Sequence, residues 1–336
     1  MPGVRKRGEE VRKFILENLT DNKNIAAMTS EQFGISLTAV YKHFDRLVAE
    51  NQITKVFGQF ALQSHQYKYS YKMEKTLSED AVWEKDIKKH FAAMPGNIRN
   101  IWIYGFLEIF NNALEHSKGR KISVEICENK LFSSMSISDD GIGIFNNIKT
   151  HFNLIDEKDA LLELAKGKRT TDYSRHSGQG IFFTSKAFDL FCITSNGLLF
   201  GLPKETTKTG NSGTASRGAS TRVFMRLANN SSKILKAIFD EYSTEVPGDF
   251  DKTIVPINMA NSTDLVSRSQ ARRILSGLEL FKEVVLDFTD IAYIGQAFGD
   301  EIYRVFHNMN PGTKIITQNA NEEVQYMINR AINTKL

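Results

Sequence analysis

The stretch SISDDGIGIF, residues 136–145, decides how this sequence is interpreted. It predicts a strand that runs into a glycine-rich turn. Upstream, EIFNNALEH (108–116) predicts a helix on which Glu108 and Asn112, four residues apart, share one face. Downstream, RHSGQGIFFTSKAFDL (175–190) places two glycines at the start of an apolar helix. Each stretch alone is common, but the three in this order predict one domain built around a shared site.

Together the three stretches resemble the GHKL ATPase superfamily, whose nucleotide domains adopt the Bergerat fold. Its members include gyrase, chaperone, mismatch-repair and sensor-kinase domains and the anti-sigma serine kinases. The resemblance spans most of residues 101–227. It implies a site for ATP and Mg²⁺. The sequence has no G-x4-G-K-[ST] motif, which argues against a Walker-type ATPase.

The resemblance assigns a role to each matching position. Asn112 would hold Mg²⁺, which bridges the phosphates, and would thereby also contribute to nucleotide binding. Asp139 would accept a hydrogen bond from the adenine amino group. Gly141 and Gly143 would let the backbone approach the base and sugar closely, because they lack Cβ.

The third stretch and a later strand complete the implied pocket. Ser177, Gly178 and Gly180, at the start of a helix, would offer backbone N–H groups and a positive dipole end to phosphate. Thr221, in STRVFMRL, would support the adenine pocket. The sequence departs from the family pattern at Ser220 and at His176, which stand where glycines are usual.

Glu108 is the candidate catalytic residue. In the family members that hydrolyse ATP or phosphorylate serine, a Glu here acts as general base on water or a hydroxyl. The alternative is a surface or magnesium-shell carboxylate without a catalytic role. His90 and Pro95 have the H-x4-P spacing of a phosphoacceptor, but too little chain separates them from Glu108 for a phosphoacceptor hairpin. His116 is interpreted as structural.

Two polar segments accompany the pocket. Residues 147–176 would form the ATP lid, with Lys166, Lys168 and Arg169 as candidate phosphate contacts. A charged run is also typical of a solvated surface, so both interpretations stay open. The Thr-, Ser-, Gly- and Lys-rich stretch 202–218 predicts a surface loop.

The N-terminal quarter predicts helix, helix, turn, helix and a two-stranded wing that turns at Gly58. This order resembles the winged helix-turn-helix family, in which the third helix enters the major groove. The residues predicted for that helix's DNA-facing surface are Thr38, Lys42, His43 and Arg46. Residues 1–75 hold 12 Lys and Arg against 8 Asp and Glu, whereas the rest of the chain holds 31 of each. Duplex DNA is the predicted partner, with protein contacts alone as the alternative.

The C-terminal stretch VVLDFTDIAYIGQAFGDEI (284–302) resembles STAS domains and, more closely, their STAS-like relatives. STAS antagonists are phosphorylated on a Ser at the start of the helix. Here the corresponding residues are Gly295, Gln296 and Ala297, which cannot take phosphate. The prediction is a docking domain for a protein partner or for self-association, in a possible homodimer.

The 336-residue chain is thus predicted to be a multidomain α/β protein. Residues 1–75 would form a winged helix, 80–228 a Bergerat α/β sandwich and 250–336 a STAS-like α/β domain. No apolar run reaches the roughly 20 residues that span a bilayer, and Cys127 and Cys192 are too few for a disulfide framework, so the expected compartment is the cytoplasm.

The predicted function is an ATP-binding regulator, a Mg²⁺-dependent ATPase, that couples a GHKL nucleotide switch to DNA and partner binding. A serine/threonine kinase of the anti-sigma-factor type and a protein that binds nucleotide without turnover are the alternatives.

Overall fold

The residues that the structure describes pack around three hydrophobic cores. The structure, a computed structural model, describes residues 2–19, 24–56, 58–168, 179–201, 220–260 and 265–333. The predicted surface loop at 202–218 lies outside these ranges.

Three helices and a short antiparallel hairpin form the first unit. They are α1 (Pro2–Asn18), α2 (Ile25–Phe33), α3 (Leu37–Ala49), β1 (Ile53–Val56) and β2 (Gln59–Leu62). Apolar residues at helical spacing make its core, among them Val11, Ile15, Val40, Phe44 and Leu47. The predicted helices and hairpin are confirmed.

The turns of the first unit use glycine where the backbone requires a positive φ. Gly34 ends α2 with φ of 60°, and Gly58 turns the hairpin with φ of 82°. The helical spacing of Leu37, Val40, Phe44, Leu47 and Val48 predicts the core face of α3, and this prediction is wrong for Leu37 and Val48, which are 50% and 38% exposed. Both lie at the edge of the stripe formed by the buried positions of this helix.

A six-stranded sheet forms the second unit. Its strands are β3 (His65–Lys72), β4 (Lys121–Glu128), β5 (Phe132–Asp139), β6 (Leu190–Ser195), β7 (Leu198–Phe200) and β8 (Thr221–Ala228). They lie in the order β3-β4-β5-β8-β6-β7, and the described pairs are antiparallel. β3 falls within the range predicted for the first domain, yet it pairs with β4 along its whole length. The wing hairpin therefore leads directly into the edge strand of this sheet.

The second unit also contains helices that precede and follow the glycine-rich turn in the sequence. They are α4 (Glu79–Val82), a π-helical turn (Trp83–Ile87), α5 (Lys88–Phe91), α6 (Gly96–His116), α7 (Ile144–Phe152), α8 (Asp159–Lys166), α9 (Gly180–Ala187) and α10 (Leu235–Asp240). The mixed, charged sequence of residues 76–100 predicts a connector between domains, and this prediction is wrong. Trp83, Ile87 and Phe91 from that segment are buried in the core of the second unit. The many charged residues of the segment made the helical spacing of these buried residues hard to recognise in the sequence.

A three-stranded parallel sheet with flanking helices forms the third unit. Its elements are β9 (Lys252–Pro256), α11 (Arg268–Leu275), β10 (Glu283–Asp287), α12 (Gln296–Asp300), a π-helical turn (Glu301–Phe306), α13 (His307–Met309), β11 (Lys314–Gln318) and α14 (Glu322–Asn333). The strand order is β11-β10-β9. The predicted alternating α/β unit is confirmed.

The core of the third unit extends into the second. Leu162 of α8 and both Phe182 and Phe183 of α9 belong to it, as do Tyr242 and Phe250 from the predicted helix and linker. The third unit therefore packs directly on elements that precede it in the chain. Within the described ranges, none of the helices combines the length and the apolar character that crossing a bilayer demands.

Candidate functional site

The end of β5 carries a buried carboxylate. Asp139 is 6% exposed, and its Oδ1 accepts hydrogen bonds from the Gly141 amide at 2.9 Å and the Ser220 hydroxyl at 3.3 Å. Burial raises the pKa of Asp139, whereas these hydrogen bonds act in the opposite direction. The result is a fixed acceptor suited to a donor such as an amino group.

Thr221 links this carboxylate to the turn that follows it. It begins β8, where it pairs with Asp139 across the sheet, and it is 7% exposed. Its hydroxyl oxygen accepts a hydrogen bond from the Ile144 amide at 3.1 Å, at the first residue of α7. A hydrogen bond from Thr221 also lowers the pKa of Asp139. The predicted pairing of these two residues in one pocket thus has a structural basis.

Both glycines of the turn, Gly141 and Gly143, are required because neighbouring groups approach them closely. A Cβ on Gly141 would overlap the carbonyl of Ser117, whose oxygen accepts a hydrogen bond from the Ile142 amide at 2.8 Å. Gly143 has φ of 86°, and a Cβ there would lie 2.7 Å from Nδ2 of Asn196. The turn is therefore packed so tightly that only glycine fits at these positions.

Sequence reasoning missed the side chains that support this turn. The Ser195 hydroxyl donates to the Ser220 carbonyl at 2.7 Å, and the Ser220 amide donates to the Asp139 carbonyl at 2.9 Å. Asn196, beside Gly143, has φ of 49° and Gly197 has φ of 81° in the turn between β6 and β7. An Asn-Gly pair between two apolar runs is a hairpin signal, so this neighbour of the site was available to sequence analysis.

Glu108 meets the start of α9. It is half-buried on α6, and a Cβ on Gly180 would overlap its Oε2. Gly180 is the first residue of α9, the end at which the helix dipole is positive. Asn112, also half-buried, lies one turn further along α6. The structure thus brings Glu108 and Gly180 together, as predicted for one site.

Tyr104, missed in the sequence, lies one turn before Glu108 on α6. Burial, together with the nearby Glu108 charge, raises its pKa well above the usual range. Its ring packs edge-on against Phe239 at a centroid distance of 5.4 Å, and Phe239 packs against Phe183 of α9 at 4.6 Å. The surroundings of Glu108 are therefore aromatic and continuous with the core of the third unit.

The lysines predicted to contact phosphate have protein partners instead. The prediction for Lys166 was wrong, because its side chain is 1% exposed and its ammonium donates to Glu163 and to two carbonyls of the third unit. Lys168 donates to the Leu280 carbonyl at 2.8 Å and lies over the Phe281 ring. Sequence gave no sign of these partners, which lie over a hundred residues further along the chain.

Part of the predicted site lies outside the described residues. Ser177 and Gly178, the other predicted phosphate contacts, fall in the range 169–178, as do Arg169 and His176. Among the residues that the structure describes, no group of three or more His, Cys, Asp and Glu side chains could hold a metal ion. A Mg²⁺ ion needs fewer protein ligands when phosphates complete its coordination, so Asn112 remains compatible with that role.

His90 has a structural environment. Its side chain is 5% exposed, with Nδ1 2.6 Å from Oε1 of Glu128 and Nε2 2.7 Å from the Tyr69 hydroxyl. It joins α5 to strands β3 and β4 from within the second unit. This burial agrees with its rejection as a phosphoacceptor.

The outer face of α3 carries the residues predicted to contact DNA. Thr38, Lys42 and Arg46 are exposed, and Arg46 donates to Glu50 at 2.8 Å. His43 is half-buried, and its pKa is lowered by burial and by the charges of neighbouring arginines. This surface presents mixed polar groups with two exposed cations.

One family matches the chain: the STAS-like domain of unknown function (DUF4325), over residues 270–325. The C-terminal part of the chain thus contains a STAS-like domain, as the sequence resemblance implied. No characterised protein in the curated collections matches the chain. Within the matched range Gly295 precedes α12, and a Cβ there would lie 2.7 Å from the Cα of Val266. A serine does not fit at this position without a backbone shift.

Proposed function

We propose that this chain is a cytoplasmic, ATP-binding regulator with a GHKL (Bergerat) nucleotide domain that hydrolyses ATP with Mg²⁺. The observation that carries the proposal is the buried Asp139 carboxylate. It lies next to Thr221 and beside Gly141 and Gly143, where a larger residue would clash with its neighbours. The approach of Glu108 to the start of α9 supports it independently. Three stretches that are far apart in the sequence would then supply the groups of one nucleotide site.

At the base end, Asp139 would recognise the exocyclic amino group of adenine. Its carboxylate can accept but not donate, which favours an amino group over the carbonyl of guanine. Thr221, hydrogen-bonded to the same carboxylate, restricts its orientation. The glycines let the turn pack closely against Ser117 and Asn196, which fixes the position of the turn beside Asp139.

At the phosphate end, the first turn of α9 would face the negative charge of the phosphates. Glu108, adjacent to that turn, would take a proton from an attacking water molecule as general base. When bound, Mg²⁺ would neutralise phosphate charge, and Asn112 would hold it.

Calorimetric titration of ATP into Asp139→Asn tests this proposal. Loss of a charged, buried acceptor should weaken binding by about 1–3 kcal/mol. The matched control is Asp140→Asn, the same change one residue later. Asp140 is exposed and accepts from the Arg120 and Lys121 amides at 2.7 and 2.9 Å, so it supports the turn without facing the pocket. Equal ATP affinity in wild type and folded Asp139→Asn would refute the adenine assignment.

A serine/threonine kinase that acts on a separate protein is the second candidate. The same position of Glu108 favours it, since a general base there can activate a serine hydroxyl as readily as water. Incubation with γ-labelled ATP and co-purifying proteins separates the two. Label on a protein identifies a kinase, and release of free phosphate alone identifies an ATPase.

The exposed cations of α3 support a further part of the proposal, a winged helix that binds duplex DNA. The STAS-like domain would contact a protein partner or a second copy of the chain. A nucleotide can couple these activities only through different affinities for two states. DNA titrations and sedimentation with ADP and with a non-hydrolysable ATP analogue should therefore differ by about 1–3 kcal/mol. Superimposable curves would rule out a switch.

A further inference from the structure

Lys166 lies at the boundary between the second and third units. Its ammonium donates to Oε1 of Glu163 at 2.7 Å and to the carbonyls of Arg273 and Ser276 at 2.9 and 3.0 Å. An ammonium has three N–H donors, and these acceptors match that number. Both carbonyls belong to the last turn and cap of α11, where the helix dipole favours a cation.

The backbone around Lys166 is tied to the same unit. Its carbonyl accepts a hydrogen bond from the Thr253 hydroxyl at 2.7 Å, and Thr253 is fully buried on β9. Gly167 follows with φ of 70°, and a Cβ there would lie 2.6 Å from Phe250 and 2.9 Å from Phe182 of α9. The short segment from Lys166 to Gly167 is therefore held between the third unit and α9.

Helix α9 connects this contact to Glu108. Phe182 and Phe183 fix the helix to Phe250, with ring centroids 4.7 and 4.9 Å apart, and Phe250 packs edge-on against Phe281 of the STAS-like side at 5.2 Å. Two residues before Phe182, Gly180 meets the Glu108 carboxylate. One end of α9 thus faces the candidate site, while its aromatic face is packed on the C-terminal domain.

We propose that Lys166 is a positioning residue through which the C-terminal domain holds α9 against Glu108. The inference rests on the proposed nucleotide-binding function, and it assigns the STAS-like domain a role in building the phosphate end of that site. The base end, formed by β5 and β8, has no such dependence. Loosening the Lys166 contact should therefore weaken binding of ATP but not of adenosine, which lacks phosphates.

Two buried threonines of the third unit provide a matched test. Thr253→Val removes the hydrogen bond to the Lys166 carbonyl with almost no change in shape. Thr313→Val is the control, since Thr313 is 3% exposed and its hydroxyl donates to the Phe281 carbonyl at 2.9 Å, within the third unit. Each variant loses one buried hydroxyl donor to a carbonyl, so their costs in global stability should be similar.

The readouts are ATP and adenosine affinity and amide hydrogen exchange of peptides covering 179–187 in the nucleotide-free protein. For Thr253→Val we expect ATP affinity to fall about fivefold, on the scale of one hydrogen bond. We also expect adenosine affinity to be unchanged and exchange in α9 to be faster. For Thr313→Val we expect ATP affinity, adenosine affinity and exchange in α9 to equal those of the wild type. Equal results for the two variants would overturn the proposal.

A second variant removes the ion pair itself. Lys166→Met alone would leave the buried Glu163 carboxylate without its cation, so both residues are replaced, as Glu163→Met with Lys166→Met. ATP affinity should fall about tenfold or more through loss of the α11 contacts. Lys158→Met, at the exposed start of α8, is the control and should have no effect.

Hydrogen exchange separates failure of this inference from failure of the proposed function. If wild type binds no ATP, the nucleotide function is refuted. Faster exchange in α9 of Thr253→Val would then show that Thr253 stabilises α9, without any role in nucleotide binding. If wild type binds ATP and the Thr253→Val and double variants bind it equally well, the nucleotide function stands and the positioning role is refuted.

Discussion

The two ends of the candidate nucleotide site are built in different ways. At the base end, Asp139 and Thr221 lie opposite each other on paired strands, and their positions follow from backbone hydrogen bonds within one sheet. At the phosphate end, Glu108 and Gly180 lie on two helices, and α9 is fixed by side chains of the third unit. Sheet pairing therefore positions the base end, whereas packing against the third unit positions α9 at the phosphate end.

The surroundings of the glycines show the same difference. At Gly141 an added Cβ would overlap a backbone carbonyl, which cannot move without distorting the chain. At Gly180 it would overlap the end of the Glu108 side chain, which can rotate away. The base end is therefore rigid, and the phosphate end can change its geometry while the protein stays folded.

The largest expected effect is loss of DNA binding by the first unit while the nucleotide site is unaffected. Reversing Lys42 and Arg46 to Glu together should abolish binding to duplex DNA, because phosphate contacts supply most of the non-specific affinity. ATP affinity should not change. Wild-type binding should weaken steeply with salt, and any residual binding of the variant should show a salt slope smaller by about 2. Fluorescence anisotropy over a salt series measures both quantities.

A control variant guards this experiment against a general charge effect. Lys236→Glu reverses an exposed lysine on α10, in another unit, and should leave DNA binding intact. Wild-type protein without DNA affinity even at low salt would make the first unit a protein-contact module.

The next effect tests whether the phosphate end carries the chemistry. Glu108→Gln should retain ATP binding but slow hydrolysis by about 10²-fold or more, the usual scale for a general base. Glu115→Gln, an exposed position on the same helix, is the control and should turn over ATP at the wild-type rate. Steady-state phosphate release measures both. An unchanged rate in Glu108→Gln would show that another group is the base.

Two alanine substitutions compare the rigidity of the ends. Gly141→Ala should destabilise the second unit by about 3 kcal/mol, because its Cβ meets backbone. Gly180→Ala should cost about 1 kcal/mol or less, yet it should impair ATP turnover by displacing Glu108. Urea unfolding followed by tryptophan fluorescence reports on this unit, since both tryptophans of the chain, Trp83 and Trp102, are buried in its core. Equal destabilisation by the two changes would contradict the comparison.

The strand and glycine-rich turn at 136–145 could be predicted from the sequence for a physical reason. Gly141 and Gly143 are required by local crowding, so a short motif contains the information. Glu108 and Gly180 could be associated because their motifs occur in a known order. The contact of Lys166 with the third unit could not be predicted, because its acceptors there are carbonyls, which residues of any type can supply.

Larger features were missed where charge concealed an apolar pattern. The segment 76–100 contains enough charged residues to look like a connector, yet Trp83, Ile87 and Phe91 are buried. The edge strand β3 has no buried position and was assigned to the preceding domain. Its place in the sheet follows from pairing with β4, a contact between residues that are distant in the sequence.

The smallest expected effect is a pH dependence at the base end. Burial raises the pKa of Asp139, so its carboxylate takes up a proton at a higher pH than a free Asp. The protonated form is a poorer acceptor for an amino group. Adenosine affinity should therefore fall a few-fold as the pH is lowered from 7 towards the raised pKa, and Asp139→Asn should lack this dependence.

The same shift predicts the opposite trend for stability. A raised folded-state pKa contributes stability that is present at low pH and lost as the pH rises through that pKa. At low pH, Asp139 should therefore contribute more to the stability of the fold while adenosine binds less tightly. An adenosine affinity in wild type that stays constant from pH 7 down to the usual pKa range of an aspartate would contradict the raised pKa.

Hydrogen–deuterium exchange of the wild-type protein with Mg²⁺ and ATP, with adenosine and without ligand tests the two-ended site most directly. We predict that ATP slows exchange both in peptides covering 136–145 and 220–228 and in those covering 179–187 and 268–276, where α9 and the third unit report the phosphate end. Adenosine should protect only the first pair. Absence of protection at 136–145 with ATP at saturating concentration would contradict the nucleotide site, and equal protection of α9 by both ligands would contradict its division into two ends.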